Sequence, residues 1–329
     1  MSLTRIALTS VSLCAQALYA ETSPGAIIAV GYAPPSLAAT AAPGQVIALS
    51  VYGVESRFPR PVIATDFPLP ITLGGLSVKL SWLGTSTAVP LLAVQQTQCG
   101  PLQPEPCAVL TTISVQIPFE AVEECLLCGR LSIPSFLSVS ENSVPRAAAQ
   151  LVVPGDSIHI VSTCDTTALP FRIGGEPCGK VVTHADGSLV SLSNSARPGE
   201  TLVMYAFGLG RTDPPVKSGE ATPSPGAPIV DVNRFTVSFD YSRNALPVRP
   251  VNSGLPPSPW FDVSAFVQRP LYAGLVAGFA GLYQINFRLP DTKPPATCAS
   301  SAGISSNLTV TVSSRWSFDG VGICLAAEK

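Results

Sequence analysis

The strongest signal along the chain is a period of two. In "YQINFRLP" (283–290), Tyr283, Ile285, Phe287 and Leu289 alternate with Gln284, Asn286 and Arg288. On an extended backbone that turns one face to a core and the other to water. "NLTVTV" repeats the pattern with Leu308, Val310 and Val312 inward, and "FTVSFDY" does so with Phe235, Val237, Phe239 and Tyr241. Past the N-terminal segment no stretch keeps a 3.6-residue period with caps at both ends. The pattern predicts an all-β protein.

The apolar run before Tyr283, "PLYAGLVAGFAG", carries Gly274, Gly278 and Gly281. It is too short to span a bilayer, which takes about 18 apolar residues, and Arg269 and Arg288 flank it. It also lacks the strand-then-helix setting and the Lys-Ser/Thr pair of a phosphate loop. It reads as a connecting loop whose glycines permit tight turns and close packing before the strand at 283.

Two segments echo each other. "AAPGQVIALSVYGV" (41–54) aligns without a gap with "ARPGETLVMYAFGL" (196–209), so that Pro43, Gly44 and Gly53 fall on Pro198, Gly199 and Gly208. In each, a Pro-Gly turn feeds an apolar strand that ends at a glycine. "TISVQIP" (112–118) matches "QINFRLP" (284–290) in alternation and in its closing proline, which cannot continue a ladder. The chain after its N-terminal segment therefore reads as two copies of one β-unit of about 130–145 residues each. The expected organisation is an N-terminal signal at 1–20, a first β-sandwich at 21–163, a linker at 164–183 and a second β-sandwich at 184–329.

Composition narrows the classes. The 329 residues include 33 prolines and 26 glycines, which disfavour long helices. Hydrophobic residues at 46% can bury real cores, so the chain is not disordered by composition. Charged residues are 12% and the net charge is −2, which leaves no electrostatic footprint for nucleic acid and no polybasic patch for anionic lipid.

"MSLTRIALTSVSLCAQALYA" has one arginine, an apolar stretch and then small residues, the layout of a secretory signal peptide cleaved after Ala17 or Ala20. A lipoprotein reading through Cys14 meets Leu13 where a small residue is wanted. No later uncharged apolar run is long enough to span a bilayer. The expected location is secreted, extracellular or at the cell surface.

Nine cysteines less Cys14 leave Cys99, Cys107, Cys125, Cys128, Cys164, Cys178, Cys298 and Cys324. An even set in an exported chain reads as disulfides, and proximity suggests 99–107, 125–128, 164–178 and 298–324 out of ~105 pairings. A zinc site from 99, 107, 125 and 128 is the rival, but there is only a lone CxxC. A thioredoxin-like reading of Cys125 and Cys128 lacks a surrounding βαβ pattern.

Five stretches, "PLPITLGGLSVKL" (68–80), "ISVQIPFE" (113–120), "VVTHADGSLVS" (181–191), "YAFGLGRTDP" (205–214) and "PLYAGLVAGFAGLYQINFRLP" (270–290), resemble the Solibacter-type C-terminal domain of exported acidobacterial proteins. They cover both halves in the family's order, and the last is the most specific. The resemblance implies an extracellular pair of Ig-like, IPT/TIG-type β-sandwiches. It carries no catalytic motif. The family region often ends longer proteins, whereas here it fills almost the whole chain after the signal.

Candidate chemistry is sparse. Only His159 and His184 exist, without a GxSxG elbow. His159 in "SIHIVS" reads as a solvent-facing strand residue opposite Ile158 and Ile160, and His184 in "THADG" as bonding locally before a turn. Glu123 and Glu124 are adjacent, so on a strand they point to opposite faces, while Asp186 and Asp240 read as turn or exposed strand positions. Glycoside hydrolysis needs two carboxylates facing each other. No DxDxDG-type calcium loop is present. The sequon at Asn307 reads as strand sequence.

Binding is the better class. "NSGLPPSPWFDV" (252–263) is a proline-stiffened loop that holds Trp260 and Phe261 as the best candidate contact, although the favoured reading of Trp260 is a plug at the end of the second core. Trp82 and Trp316 read as packing residues. The sequence thus leads to a non-catalytic exported protein, without metal or cofactor, that binds polysaccharide or a surface protein. A passive spacer or a secreted hydrolase of another type are the alternatives.

Overall fold

The computed structural model describes residues 25–32, 40–97, 109–121, 134–163, 165, 179–247, 267–292, 294 and 296–326. Strands account for 46% and no α-helix occurs among the described residues, so the fold is all-β. No helix there is long and apolar enough to cross a membrane.

The first half builds two antiparallel sheets. One runs β1 (Ala26–Gly31), β2 (Val46–Tyr52), β8 (Thr111–Gln116), β7 (Leu91–Gln96) and β3 (Val62–Ile63). The other runs β10 (Val144–Val152), β9 (Pro134–Glu141), β5 (Leu76–Trp82) and β4 (Thr72–Leu73), with β6 (Thr85–Val89) also paired to β5. Ile47, Leu49, Ile113 and Val115 from one sheet meet Leu76, Leu80, Leu137 and Val139 from the other in one buried cluster. Trp82 packs on its edge, as its sequence suggests.

The second half repeats this plan. Its first sheet runs β11 (His159–Ile160), β13 (Thr201–Phe207), β18 (Tyr283–Arg288), β17 (Tyr272–Leu275) and β14 (Ala227–Pro228), with β12 (Val182–Thr183) also on β13. Its second runs β16 (Val267–Gln268), β15 (Thr236–Asp240), β19 (Leu308–Ser313) and β20 (Phe318–Ile323). Tyr283, Ile285 and Phe287 face Phe235, Val237, Val310 and Val312 in a second core.

The sequence echo is therefore a structural repeat down to its turns. Gly44, Gly53, Gly199 and Gly208 all hold left-handed φ, at 76, 86, 72 and 79°. That region is open to glycine and costly for residues with a Cβ. Gln45 N–H donates to Ala42 O at 3.1 Å, and Glu200 N–H to Arg197 O at 3.1 Å. Ile117 N–H donates to Gln45 O and Leu289 N–H to Glu200 O, both at 2.8 Å. Strand β2 pairs with β8 (Val46 opposite Gln116) as β13 pairs with β18 (Thr201 opposite Arg288).

Several positions differ from the sequence reading. "YAGL" is not loop but strand β17, and only the return at 276–282 is a turn. A Cβ on Gly274 would lie 2.6 Å from Ala227 O and 2.8 Å from Pro228 Cα, so this strand glycine admits close packing, while Gly278 and Gly281 supply the positive φ of the turn. On β19, Thr309 and Thr311 are as buried as the apolar residues between them, because Thr309 Oγ1 donates to Ala245 O at 2.7 Å under a covering segment. Strand β11, inside the expected first unit, pairs with β13 and places Ile158 and Ile160 in the second core. Val182 and Thr183, inside the expected linker, form β12. The Asn307 side chain is buried and donates to Ala296 O and Leu325 O while accepting from Leu325 N–H, so it is a structural bolt.

The halves meet at a packed junction. Gln45 Nε2 donates to the Tyr32 hydroxyl at 2.6 Å and to Ser157 O at 3.1 Å. Gln116 Oε1 accepts from Gly219 N–H at 2.7 Å, and Phe119 of the first half enters the second core. Val46, Val161 and Phe207 form a small apolar cluster between the two cores. Tyr32 stacks on His159 at 3.6 Å and 4°, and lies parallel to Phe207 at 5.6 Å. His159 is thus not solvent-facing: its Nε2 lies 2.8 Å from Asp165 and its ring is covered by the first half. Burial and the nearby Asp165 and Asp319 charges raise the Tyr32 hydroxyl pKa well above its usual value, although the Gln45 hydrogen bond acts against them. At the outer end of the first half, the buried Glu141 accepts from Glu55 and Ser56 N–H at 3.0 and 2.7 Å and pairs with Arg146 at 2.8 Å.

Candidate functional site

The chain after β12 makes a tight reversal. Gly187 N–H donates to His184 O at 3.0 Å, and Asp186 Oδ1 accepts from Ser188 N–H and its hydroxyl at 2.9 and 2.7 Å, the Asx geometry that Asp and Gly favour in turns. A second reversal brings Ser191 N–H to Asn194 O, and the Asn194 amide bridges back to Ser188 and Leu189. The two turns and the Pro-Gly corner at 198–199 enclose a cavity of about 350 Å³ lined by His184, Ala185, Asp186, Ser188, Asn194, Ser195, Arg197 and Glu200.

His184 is its hub. Nδ1 lies 2.6 Å from Glu200 Oε1, and Nε2 3.3 Å from Asn194 O. Partial burial works against its imidazolium, but the Glu200 and Asn194 hydrogen bonds and the Glu200 and Asp186 charges prevail and raise its pKa. Glu200 is fixed again by Arg197 N–H on Oε2 at 2.8 Å. The Ser188 hydroxyl and N–H hold Asp186 below the usual carboxylate range. Arg197 is exposed and pairs with no carboxylate among the described residues. The Ser195 hydroxyl donates to Cys324 Sγ at 3.2 Å, which ties one wall to the Cys298–Cys324 disulfide. Donors and acceptors of both signs therefore converge on one open hollow, which suits a polyhydroxylated ligand.

The repeat explains why this hollow is open. Glu200 is the counterpart of Gln45: each caps its own Pro-Gly turn through the side chain, Gln45 Oε1 on Ala42 N–H at 2.7 Å and Glu200 Oε2 on Arg197 N–H at 2.8 Å. In the first half this end is buried against the second. In the second half the matching amides become charged and the apolar positions polar or charged: Gln45, Val46, Gln116 and Phe119 correspond to Glu200, Thr201, Arg288 and Asp291. Gln116 and Phe119 are buried, whereas Arg288 and Asp291 side chains are 54% and 75% exposed and pair with each other at 2.9 Å.

No family model matches the chain, and no curated protein matches it.

Of the residues singled out in the sequence, His184 and Asp186 come together here, joined by Glu200, Asn194 and Arg197, which the sequence reading passed over. Their signal was present in the repeat: an ionisable residue at 200 stands where the first half has an amide. His159 lies at the junction instead. Trp316, expected in a core, is 47% exposed. Trp260 and Phe261 lie outside the described residues, as do Glu123 and Glu124. So do Cys99, Cys107, Cys125, Cys128, Cys164 and Cys178, leaving 298–324 as the one expected pair that the described residues contain. Asp240 sits on β15 with Oδ1 accepting from Ser242, away from the cavity residues in sequence and sheet. Among the described residues no three His, Cys, Asp or Glu side chains group as a metal site.

Proposed function

We propose that the chain is an exported, non-catalytic binding protein of two tandem Ig-like sandwiches, and that its ligand is an extracellular polysaccharide. The observation that carries this reading is the His184 cavity: the end of the repeat that is buried at the junction in the first half is, in the second, an open hollow lined by Asp186, Asn194, Arg197 and Glu200. The signal-like N-terminus, the cysteine count and the resemblance to Solibacter-type exported domains support export and the sandwich pair. The packed junction, where buried hydrogen bonds and Phe119 fix one half on the other, makes a passive spacer, the alternative, a rigid one.

The test is a binding screen of residues 21–329, oxidised, against glycans and envelope fractions, with Arg197→Ala/Asp186→Ala and Trp260→Ala alongside. Saturable glycan binding lost in the double variant supports the cavity; loss in Trp260→Ala alone moves the site to the 252–263 loop. Binding to a protein fraction only makes the ligand a surface protein, and no binding at all favours the spacer. One observation favours a second reading, a secreted hydrolase: two carboxylates, Asp186 and Glu200, line one cavity. Against it, Asp186 is held low and Glu200 is committed to His184, whereas a general acid needs a raised pKa. Release of reducing ends from a bound glycan would establish the hydrolase.

A further inference from the structure

The turn between β19 and β20 is built more heavily than a hairpin requires. Its counterpart between β9 and β10 is the two-residue turn Asn142-Ser143, at φ 48 and 70°. Here four residues, Ser314, Arg315, Trp316 and Ser317, make the turn, and a fully buried carboxylate holds them. Asp156 Oδ1 accepts from the hydroxyls of Ser314 and Ser317 at 2.5 and 2.6 Å. Ser314 Oγ in turn accepts from Trp316 and Ser317 N–H at 2.9 and 3.1 Å, and Ser317 Oγ accepts from Ile158 N–H at 2.9 Å. Burying a carboxylate is costly unless hydrogen bonds repay it; burial raises the Asp156 pKa despite both hydroxyls and Arg234. That outlay fixes the backbone of a tip whose own side chains stay out: Trp316 is 47% exposed, and the Arg315 guanidinium carbon lies 5.3 Å from its ring centroid.

We propose that Arg315 and Trp316 form a platform for a pyranose ring, a contact additional to the His184 cavity, and the proposal rests on the polysaccharide reading above. The Arg315 guanidinium lies over one face of the indole; the exposed part of the ring offers a flat surface to the C–H face of a sugar, and the guanidinium fork offers donors to ring hydroxyls. A fixed aromatic loses little conformational entropy on binding. The surroundings favour a sugar over a protein partner: a protein hot spot sits within a packed patch that excludes water, whereas Trp316 is flanked by Arg315 and Ser317 on a serine-rich turn. The tip and the cavity lie at opposite ends of β20, since Cys324, which touches Ser195, follows that strand. Six residues at ~3.3 Å put them about 20 Å apart, so a variant at one leaves the other intact.

The experiment is calorimetric titration of oxidised 21–329 with hexasaccharides of β-1,4-glucose, β-1,4-N-acetylglucosamine and α-1,4-galacturonate, using wild type, Trp316→Ala, Trp316→Phe and Arg197→Ala. The expected result is binding of at least one hexasaccharide, weakened about tenfold or more in Trp316→Ala and largely retained in Trp316→Phe, with urea midpoints unchanged because the ring is exposed. A hexasaccharide that binds Trp316→Ala as it binds wild type overturns the platform while leaving the polysaccharide reading in place. Failure of all three to bind wild type, with no glycan bound in the screen described above, overturns both. Capture of a protein that Trp316→Ala cannot hold, with no sugar bound, overturns the sugar assignment.

Discussion

The junction between the halves can be tested with one methyl group. Gly208 closes β13 at φ 79°, and a Cβ there would lie 2.1 Å from Ser157 O and 2.7 Å from the Gln45 side chain. Gly84, in the turn between β5 and β6, has nearly the same φ of 76° but nothing within 4 Å of its Cβ position. Gly84→Ala therefore isolates the backbone cost of a left-handed alanine, about 1–2 kcal/mol. Gly208→Ala bears that cost and must also displace a backbone carbonyl. Ser157 cannot retreat freely, because its N–H donates to Gly208 O at 2.8 Å and its carbonyl accepts from Gln45 at 3.1 Å. Overpacking of this kind adds about 1–3 kcal/mol, for a total of about 2–5 kcal/mol. The assay is urea unfolding of wild type and both variants, comparing midpoints at a common slope. If Gly208→Ala loses no more than Gly84→Ala, Gln45 of the first half does not hold Ser157 against Gly208 and the reasoning fails.

Four further outcomes are expected. His184→Gln removes a group whose folded pKa is raised above 6.5, so the stability it contributes is complete below that value and is lost as pH rises through the folded pKa; urea midpoints of variant and wild type should differ more at pH 5 than at pH 8, and a gap that widens upward refutes the pair with Glu200. Glu141→Ala strips two backbone N–H groups of a buried carboxylate and should cost about 2–3 kcal/mol at neutral pH; the Glu141 pKa lies below 4.5 because hydrogen bonds from Ser56 and Glu55 and the Arg146 charge outweigh burial, so this gap should close as pH falls through the folded value. The 26-residue separation of Cys298 and Cys324 predicts a loss of about 3.5 kcal/mol in the Cys298→Ser/Cys324→Ser double variant by denaturation. Intact mass before and after reduction and alkylation should differ by eight blocked thiols, and retained zinc with four free thiols would refute the full disulfide set.

The all-β fold was legible because burial on a strand is periodic. Tyr283, Ile285, Phe287 and Leu289 were assigned inward by alternation alone, and all are buried. The repeat was legible because a left-handed turn admits little besides glycine, which marked 44, 53, 199 and 208 in the letters. What failed involved the second face of a strand. Alternation correctly put His159 opposite Ile158 and Ile160, but it could not show that the opposite face meets Tyr32 rather than water. Likewise Thr309 and Thr311 look like outward positions until a covering segment from elsewhere in the chain is known. Trp316 misled for the converse reason: its size argues for burial, yet its place is decided by Asp156, far away in sequence. The cavity needed both turns at once, since neither His184 nor Glu200 is informative without the other.

A β-repeat with one sticky end could in principle grow by adding a third copy, then a fourth, into an open fibre. This chain has the chemistry that forbids it. Where the first copy offers valine, phenylalanine and neutral amides to its neighbour, the second offers threonine, arginine, aspartate and glutamate, and an incoming copy would have to strip water from the Arg288–Asp291 and His184–Glu200 pairs. The block to such growth from this end is written at four positions, Glu200, Thr201, Arg288 and Asp291. Extending the repeat would mean erasing those four residues rather than lengthening a linker.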